Sequence, residues 1–209
     1  MQHSSVQNYL ISHGLISESG GGRAAEIILD IQPHIDFFDY STPAKYVDKL
    51  MALIENHPKF TRDTRGKAFE IVIACTLIRE HILPFYFQAE VLFVPIANFD
   101  LLIYTEELGP VVLSMKTSLR ERYKQAELES QALRSVHRKA ETFLITLDQD
   151  ESDSVNIKID SGELFAIDKV LVATHSDFNE LIEHLKTLSP IAAPVVPLVT
   201  KGRIIDLSE

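Results

Sequence analysis

Asn98-Phe99-Asp100-Leu101-Leu102-Ile103-Tyr104 and Val111-Val112-Leu113-Ser114-Met115-Lys116 decide the fold. Each is an apolar run of strand length, and the segment between them, Thr105-Glu106-Glu107-Leu108-Gly109-Pro110, is polar with a Gly-Pro pair, as in a hairpin turn. Side chains alternate faces along a strand, so Ser114 and Lys116 share one face while Leu113 and Met115 share the other. With the turn centred near Glu107 and Leu108, antiparallel pairing sets Asp100 level with Met115 or Lys116, roughly 5 Å away. A carboxylate and an ammonium then stand at one end of an otherwise apolar hairpin.

Upstream, Lys67-Ala68-Phe69-Glu70-Ile71-Val72-Ile73-Ala74-Cys75 falls in a helix expected over about residues 64–81, apolar on most sides and therefore largely buried. Glu70 is an isolated charge among apolar residues, which is costly unless a partner or a metal meets it. An ion pair with Lys67 or an exposed edge is the alternative. Downstream, Ser118 with Glu121 three residues later has the pattern of a capping box, which predicts a helix from Ser118 to about Ala140. On that helix Arg122, Gln125, Ala126, Glu129, Leu133 and Val136 fall on or near one stripe, while Glu127 points elsewhere and is the weaker candidate for a site.

Glu70 on a helix, Asp100 on one strand and Ser114-Met115-Lys116 on the next resemble the PD-(D/E)xK nuclease superfamily. Phe99 stands where that superfamily usually has Pro, and Ser114 where it has its second acid. One subgroup of type II restriction endonucleases, cutting CCGG-like and CCWGG-like sites, also has a non-acidic residue there. Its glutamate is relocated to the following helix, thirteen or fourteen residues after the lysine, and here Glu129 lies thirteen residues after Lys116. Lys116-Thr117-Ser118-Leu119-Arg120, followed by Arg122, is similar to the same subgroup. The resemblance runs from Glu70 to Glu129 and leaves both ends of the chain unassigned.

It implies an α/β, restriction-endonuclease-like fold with a mixed central sheet flanked by helices. It also implies a Mg²⁺-dependent endonuclease acting on double-stranded DNA, with Mn²⁺ able to substitute. Asp100 and Glu129, with Glu70, are then the expected metal ligands, and Lys116 acts on the attacking water or on transition-state charge. Ser114 sits beside the metal without ligating it strongly, and Arg120, Arg122 and Lys124 hold phosphates. A homodimer is expected, because cutting both strands takes two sites. The departures at Phe99 and Ser114 support the alternative, a catalytically inactive nuclease-fold module for DNA binding or assembly, and a plain surface ion pair between Lys116 and Asp100 is the reading without nucleic acid.

A formal charge of -10 excludes a protein that coats nucleic acid with its whole surface. The basic residues are clustered instead. Lys116 to Ala140 holds seven basic residues against three acids, and Arg62, Arg65 and Lys67 precede Glu70. Both patches flank the expected site. The single cysteine, Cys75, has apolar helical neighbours and reads as a core thiol, and the histidines show no zinc spacing. No run is long and apolar enough to span a bilayer and no signal-peptide pattern opens the chain, so a soluble, cytoplasmic protein is expected.

Residues 1–57 read as a helical N-terminal extension packed on a core formed by residues 58–209. The extension holds helices near Val6–His13 and Arg23–Ile31, and one opened by Thr42-Pro43 that runs to about Glu55. In the core, strands are expected over Phe85–Pro95, Thr142–Leu147 and Leu164–Thr174, the second of them central. Asp148 to Asp153 read as an acidic loop, and a helix follows from about Ser176 to Leu188. The Pro-rich tail, Ser189 to Leu198, cannot be helical and is apolar enough to pack along the body or a second subunit.

Overall fold

The computed structural model describes residues 5–92, 94, 97–194 and 199–206. Three threonines set the helices that support the site. The Thr42 hydroxyl accepts from the Lys45 N–H at the head of α3 (Pro43–Glu55), where the N–H missing from Pro43 would have no helical partner anyway. Thr61 and Thr64 form a reciprocal capping box at the head of α4 (Arg62–Arg79). These follow α1 (Ser5–Ser12) and α2 (Gly22–Ile31).

Beyond α4, β1 (Phe85–Val91), β2 (Phe99–Thr105) and β3 (Gly109–Met115) form an antiparallel meander. The chain then crosses through α5 (Arg122–Val136) to β4 (Glu141–Thr146), parallel to β3, and through α6 (Gln149–Asp160) to β5 (Lys169–Val172), parallel to β4. After α7 (Ser176–Lys186), β6 (Val199–Ile205) returns to pair antiparallel with β1. The result is an α/β fold around a mixed sheet of order β5-β4-β3-β2-β1-β6.

On one face, a single apolar cluster joins Val6 and Leu10 of α1, Ile28 of α2, Leu50 of α3 and Phe69 of α4 to Leu101, Ile103, Val111 and Leu113 of the central strands. On the other face Leu102 and Val112 pack with Leu133 of α5, and Leu144 and Val170 pack with Ala126 and with Val155 of α6. Cys75 lies in the first cluster, and burial pushes its thiol up to about 12, as suits an inert core residue. No described helix is long and apolar enough to cross a membrane.

Several expectations are corrected. The hairpin pairs Thr105 with Gly109 and Leu101 with Leu113, so Asp100 comes level with Ser114 rather than with Met115 or Lys116. The reason is the turn, whose three residues centre it on Glu107, with Gly109 taking φ 76° where a side chain would be strained. No capping box forms at Ser118: α5 starts at Arg122, its N-cap Glu121 makes no side-chain cap bond, and the Ser118 hydroxyl donates to Glu151 instead. The acidic stretch from Asp148 is the head of α6, because Asp148 accepts from the Glu151 N–H and Asp150 and Glu151 lie in the first turn, where the helix dipole favours negative charge.

The first strand ends at Val91, and the expected strand over Leu164–Thr174 is reduced to β5. Glu127 holds the preceding chain in a non-extended course, accepting from the backbone N–H groups of Phe165, Ala166 and Ile167. β4 is an interior strand, one in from the β5 edge. Within the tail, Ile191 N–H donates to the Tyr104 carbonyl and Ala193 N–H to the Tyr86 hydroxyl, so this part lies along the sheet; residues 195–198 are outside the described residues. The strand that follows, β6, went unread in the sequence.

Candidate active site

Ladder pairing between β2 and β3 ends at Leu101 and Leu113, and one step further Asp100 takes over the role of the neighbouring strand. Asp100 Oδ2 accepts the Met115 N–H at 2.8 Å and Lys116 Nζ at 3.0 Å, while Lys116 N–H turns the other way to the Ile145 carbonyl on β4. The Asp100 side chain is 11% exposed and that of Lys116 16%, so this is a largely desolvated ion pair rather than a surface one. By strand alternation Asp100 and Ser114 share the face of Leu102 and Val112, which is the face covered by α5.

Glu70 approaches from α4. Its carboxyl is pushed up to about 7, first by burial and then by the charge of Asp100, against the opposing pull of Lys116 and Lys67 and a hydrogen bond from Gln88. Lys67 favours the charged form without closing an ion pair. The hydrogen bond runs from Gln88 Nε2 to Glu70 Oε2 at 2.8 Å. Glu129, on α5, is also raised, mainly by burial and also by Asp100, while the hydrogen bond from Gln125 and the charge of Lys116 pull it down. Thus Glu70 and Glu129, from different helices, both lie within electrostatic reach of the Asp100–Lys116 pair.

Each of the three carboxylates has one oxygen occupied and one without a donor. Both bonds to Asp100 go to Oδ2, Gln88 bonds Glu70 Oε2, and Gln125 bonds Glu129 Oε1 at 2.8 Å. The remaining oxygens accept no hydrogen bond from a described residue. Among the described residues, no three His, Cys, Asp or Glu side chains already stand at the spacing of a metal cage. The residues that could hold a cation here are Asp100, Glu70 and Glu129, through these oxygens.

Glu70 lines a cleft of about 700 Å³ together with Arg62, Arg65 and Lys67 of α4 and with Arg120 and Arg122, and the acids Asp63, Asp148 and Glu151 line it too. Arg65 pairs with Glu55 at 2.7 Å, but the other four cations form no ion pair with a described residue. Lys124 is elsewhere, paired to Glu121 at 2.5 Å and close to the Tyr123 ring. Ser114 is buried, with its side chain unbonded to any described residue.

Two polar residues at the site escaped sequence reading. Gln88 carries no motif signal, since its contact with Glu70 depends on a local distortion of β1. Glu151 accepts from the Ser118 hydroxyl at 3.1 Å and the Leu119 N–H at 2.5 Å, tying the Arg120 segment to α6. Its position in an acidic run hid that role.

No family model matches the chain, and no curated protein matches it. Among solved structures, the chain is similar to the restriction endonuclease PspGI in complex with substrate DNA, with a TM-score of 0.56 over 82% of this chain and 83% of that one, at 18% sequence identity. The protein has a restriction-endonuclease-like fold.

Proposed function

We propose that this protein is a Mg²⁺-dependent endonuclease for double-stranded DNA, of the restriction-endonuclease type with its second glutamate on the helix after the lysine. The observation that carries the reading is the grouping of Asp100 and Lys116 with Glu70 and Glu129, which lie within electrostatic reach of that pair, beside a cleft that carries Arg62, Lys67, Arg120 and Arg122. Glu70 and Glu129, each raised by burial and by the charge of Asp100 and each with a donor-free oxygen, present the chemistry a divalent cation relieves. Mg²⁺ suits a partial ligand set, since it is commonly held by one or two carboxylates together with water and phosphate oxygens. Asp100 and Glu129, with Glu70, are the proposed ligands, and Mn²⁺ would substitute.

A cation bound there would polarise the phosphate and lower the pKa of attacking water. Lys116, held by Asp100, would orient that water and stabilise negative charge as it builds on phosphate oxygens. Arg120 and Arg122 line the cleft and would hold the phosphate backbone together with Arg62 and Lys67; Lys124 would reach DNA only by leaving Glu121. Ser114 would lie near the metal as a neutral neighbour. A two-fold homodimer would supply the second site for the second strand.

A non-catalytic DNA-binding module is the second reading, favoured by Ser114 at the second-acid position and by the absence of a ready cage among the described residues. Incubating the protein with unmethylated plasmid DNA and Mg²⁺ separates the two. Cleavage is expected, falling by about 10²-fold or more in Asp100→Asn and in Lys116→Ala. Wild-type protein that binds DNA equally with chelator and never cuts would establish the binding module.

A further inference from the structure

Gln88 departs from its strand in a way that serves the site. It lies within β1, yet its φ is 55°, the left-handed region that side chains rarely adopt. The β1–β6 register shifts between Phe87 and Glu90 and again between Glu90 and Val91, which marks a bulge around Gln88. The opposing strand is shaped to admit it. Gly202 of β6 has φ 149°, and a Cβ there would come within 3.2 Å of Ala89 Cα and 3.3 Å of the Gln88 carbonyl oxygen.

The bulge re-aims one side chain. Gln88 Nε2 donates to Glu70 Oε2 at 2.8 Å, and Gln88 Oε1 accepts from Asn98 Nδ2 at 3.3 Å. Helix α4, strand β1 and the approach to β2 are thereby linked through one amide. Among the described residues Gln88 is the hydrogen-bond donor to Glu70. An amide can fix a carboxylate without cancelling its charge, whereas a direct ion pair from Lys67 or Lys116 would compete with a cation for it. Backbone strain of this kind persists where the surroundings over-determine it, and it gathers at functional sites.

We propose that Gln88 is a positioning residue of the metal centre: the bulge in β1 holds its amide on Glu70 Oε2, so that Glu70 Oε1 is presented toward a cation shared with Asp100. This rests on the metal-centre reading given above. The test is Mn²⁺ binding by titration calorimetry, with Tm and with DNA affinity in chelator measured alongside, on wild type, Gln88→Gly, Glu70→Gln and the double variant. Gln88→Gly is expected to weaken Mn²⁺ about 10–100-fold. Its Tm should stay close to that of wild type, because glycine takes this φ without strain and so offsets the lost bonds to Glu70 and Asn98. DNA affinity in chelator should stay within about twofold, and Gln88→Gly should add no further loss in the Glu70→Gln background, since the residue acts through Glu70.

Wild-type Mn²⁺ affinity in Gln88→Gly, or an equal loss whether or not Glu70 is present, overturns the role of Gln88 and leaves the metal centre standing. A wild-type protein that binds no Mn²⁺ overturns both together.

Discussion

Glu70 shows what a site does to a single side chain. Its folded-state pKa, about 7 against the usual 4.5, means the folded protein holds a proton that the unfolded chain has released across that interval. Stability should therefore fall as pH rises from about 4.5 to 7 and stay low above it, the loss reaching about 3 kcal/mol at most. In chelator, Glu70→Gln should raise Tm at pH 8 and leave it unchanged near pH 4.5. An equal Tm difference at both pH values would show that Glu70 does not carry this burden. Asp100 is the opposite case, because its carboxylate also closes the backbone at Met115. Asp100→Asn retains an acceptor for that N–H and should keep the fold, whereas Asp100→Ala leaves the N–H unmet and should cost about 1–3 kcal/mol in denaturant melts.

At the scale of elements, α5 and α6 divide structural from functional acids. Glu127 and Glu129 are near neighbours on α5, yet Glu127 is buried against three backbone N–H groups of residues 165–167 and Glu129 lies within electrostatic reach of Asp100 and Lys116. Glu127→Ala should destabilise the protein by about 3 kcal/mol, with cleavage per folded molecule unchanged, while Glu129→Ala should do the reverse. Urea melts paired with plasmid cleavage would tell them apart, and equal behaviour of the two variants would refute the division. Glu151 links α6 to the segment bearing Arg120 and Arg122. Glu151→Gln keeps a weaker acceptor there, so KM for DNA should rise several-fold with kcat little changed; a drop in kcat at constant KM would move Glu151 into the chemistry itself.

For the molecule as a whole, charge placement outweighs charge total. A net charge of -10 repels DNA from most of the surface, and the cleft with Arg62, Lys67, Arg120 and Arg122 offers the attractive face. If those four cations each displace one counterion, log affinity should fall against log salt with a slope of about -3 to -4 per protomer. Fluorescence anisotropy over a salt series in chelator measures it, and a slope near zero would remove the cleft as a DNA surface. In an Arg62→Ala, Arg120→Ala double variant the slope should flatten by about 2.

Local patterns carried much of this architecture. The turn composition and two apolar runs gave the hairpin, Thr42-Pro43 gave a helix start, and alternation put Ser114 and Lys116 on one face. Where two local readings competed, the packed chain chose. No capping box forms at Ser118, where Glu151, distant in sequence, instead accepts from the Ser118 hydroxyl and the Leu119 N–H, and Asp148 turns an acidic run into the head of a helix. The sequence by itself determined the hairpin and the acid and lysine at its end, because turn composition and strand alternation specify these, while Glu129 entered only through the family resemblance. Only the tertiary structure decided that α4 and α5 bring Glu70 and Glu129 within reach of Asp100, that Glu127 is spent on backbone, and that a bulge against β6 points Gln88 at Glu70. Those outcomes depend on desolvation and on contacts between distant segments, which no local pattern encodes.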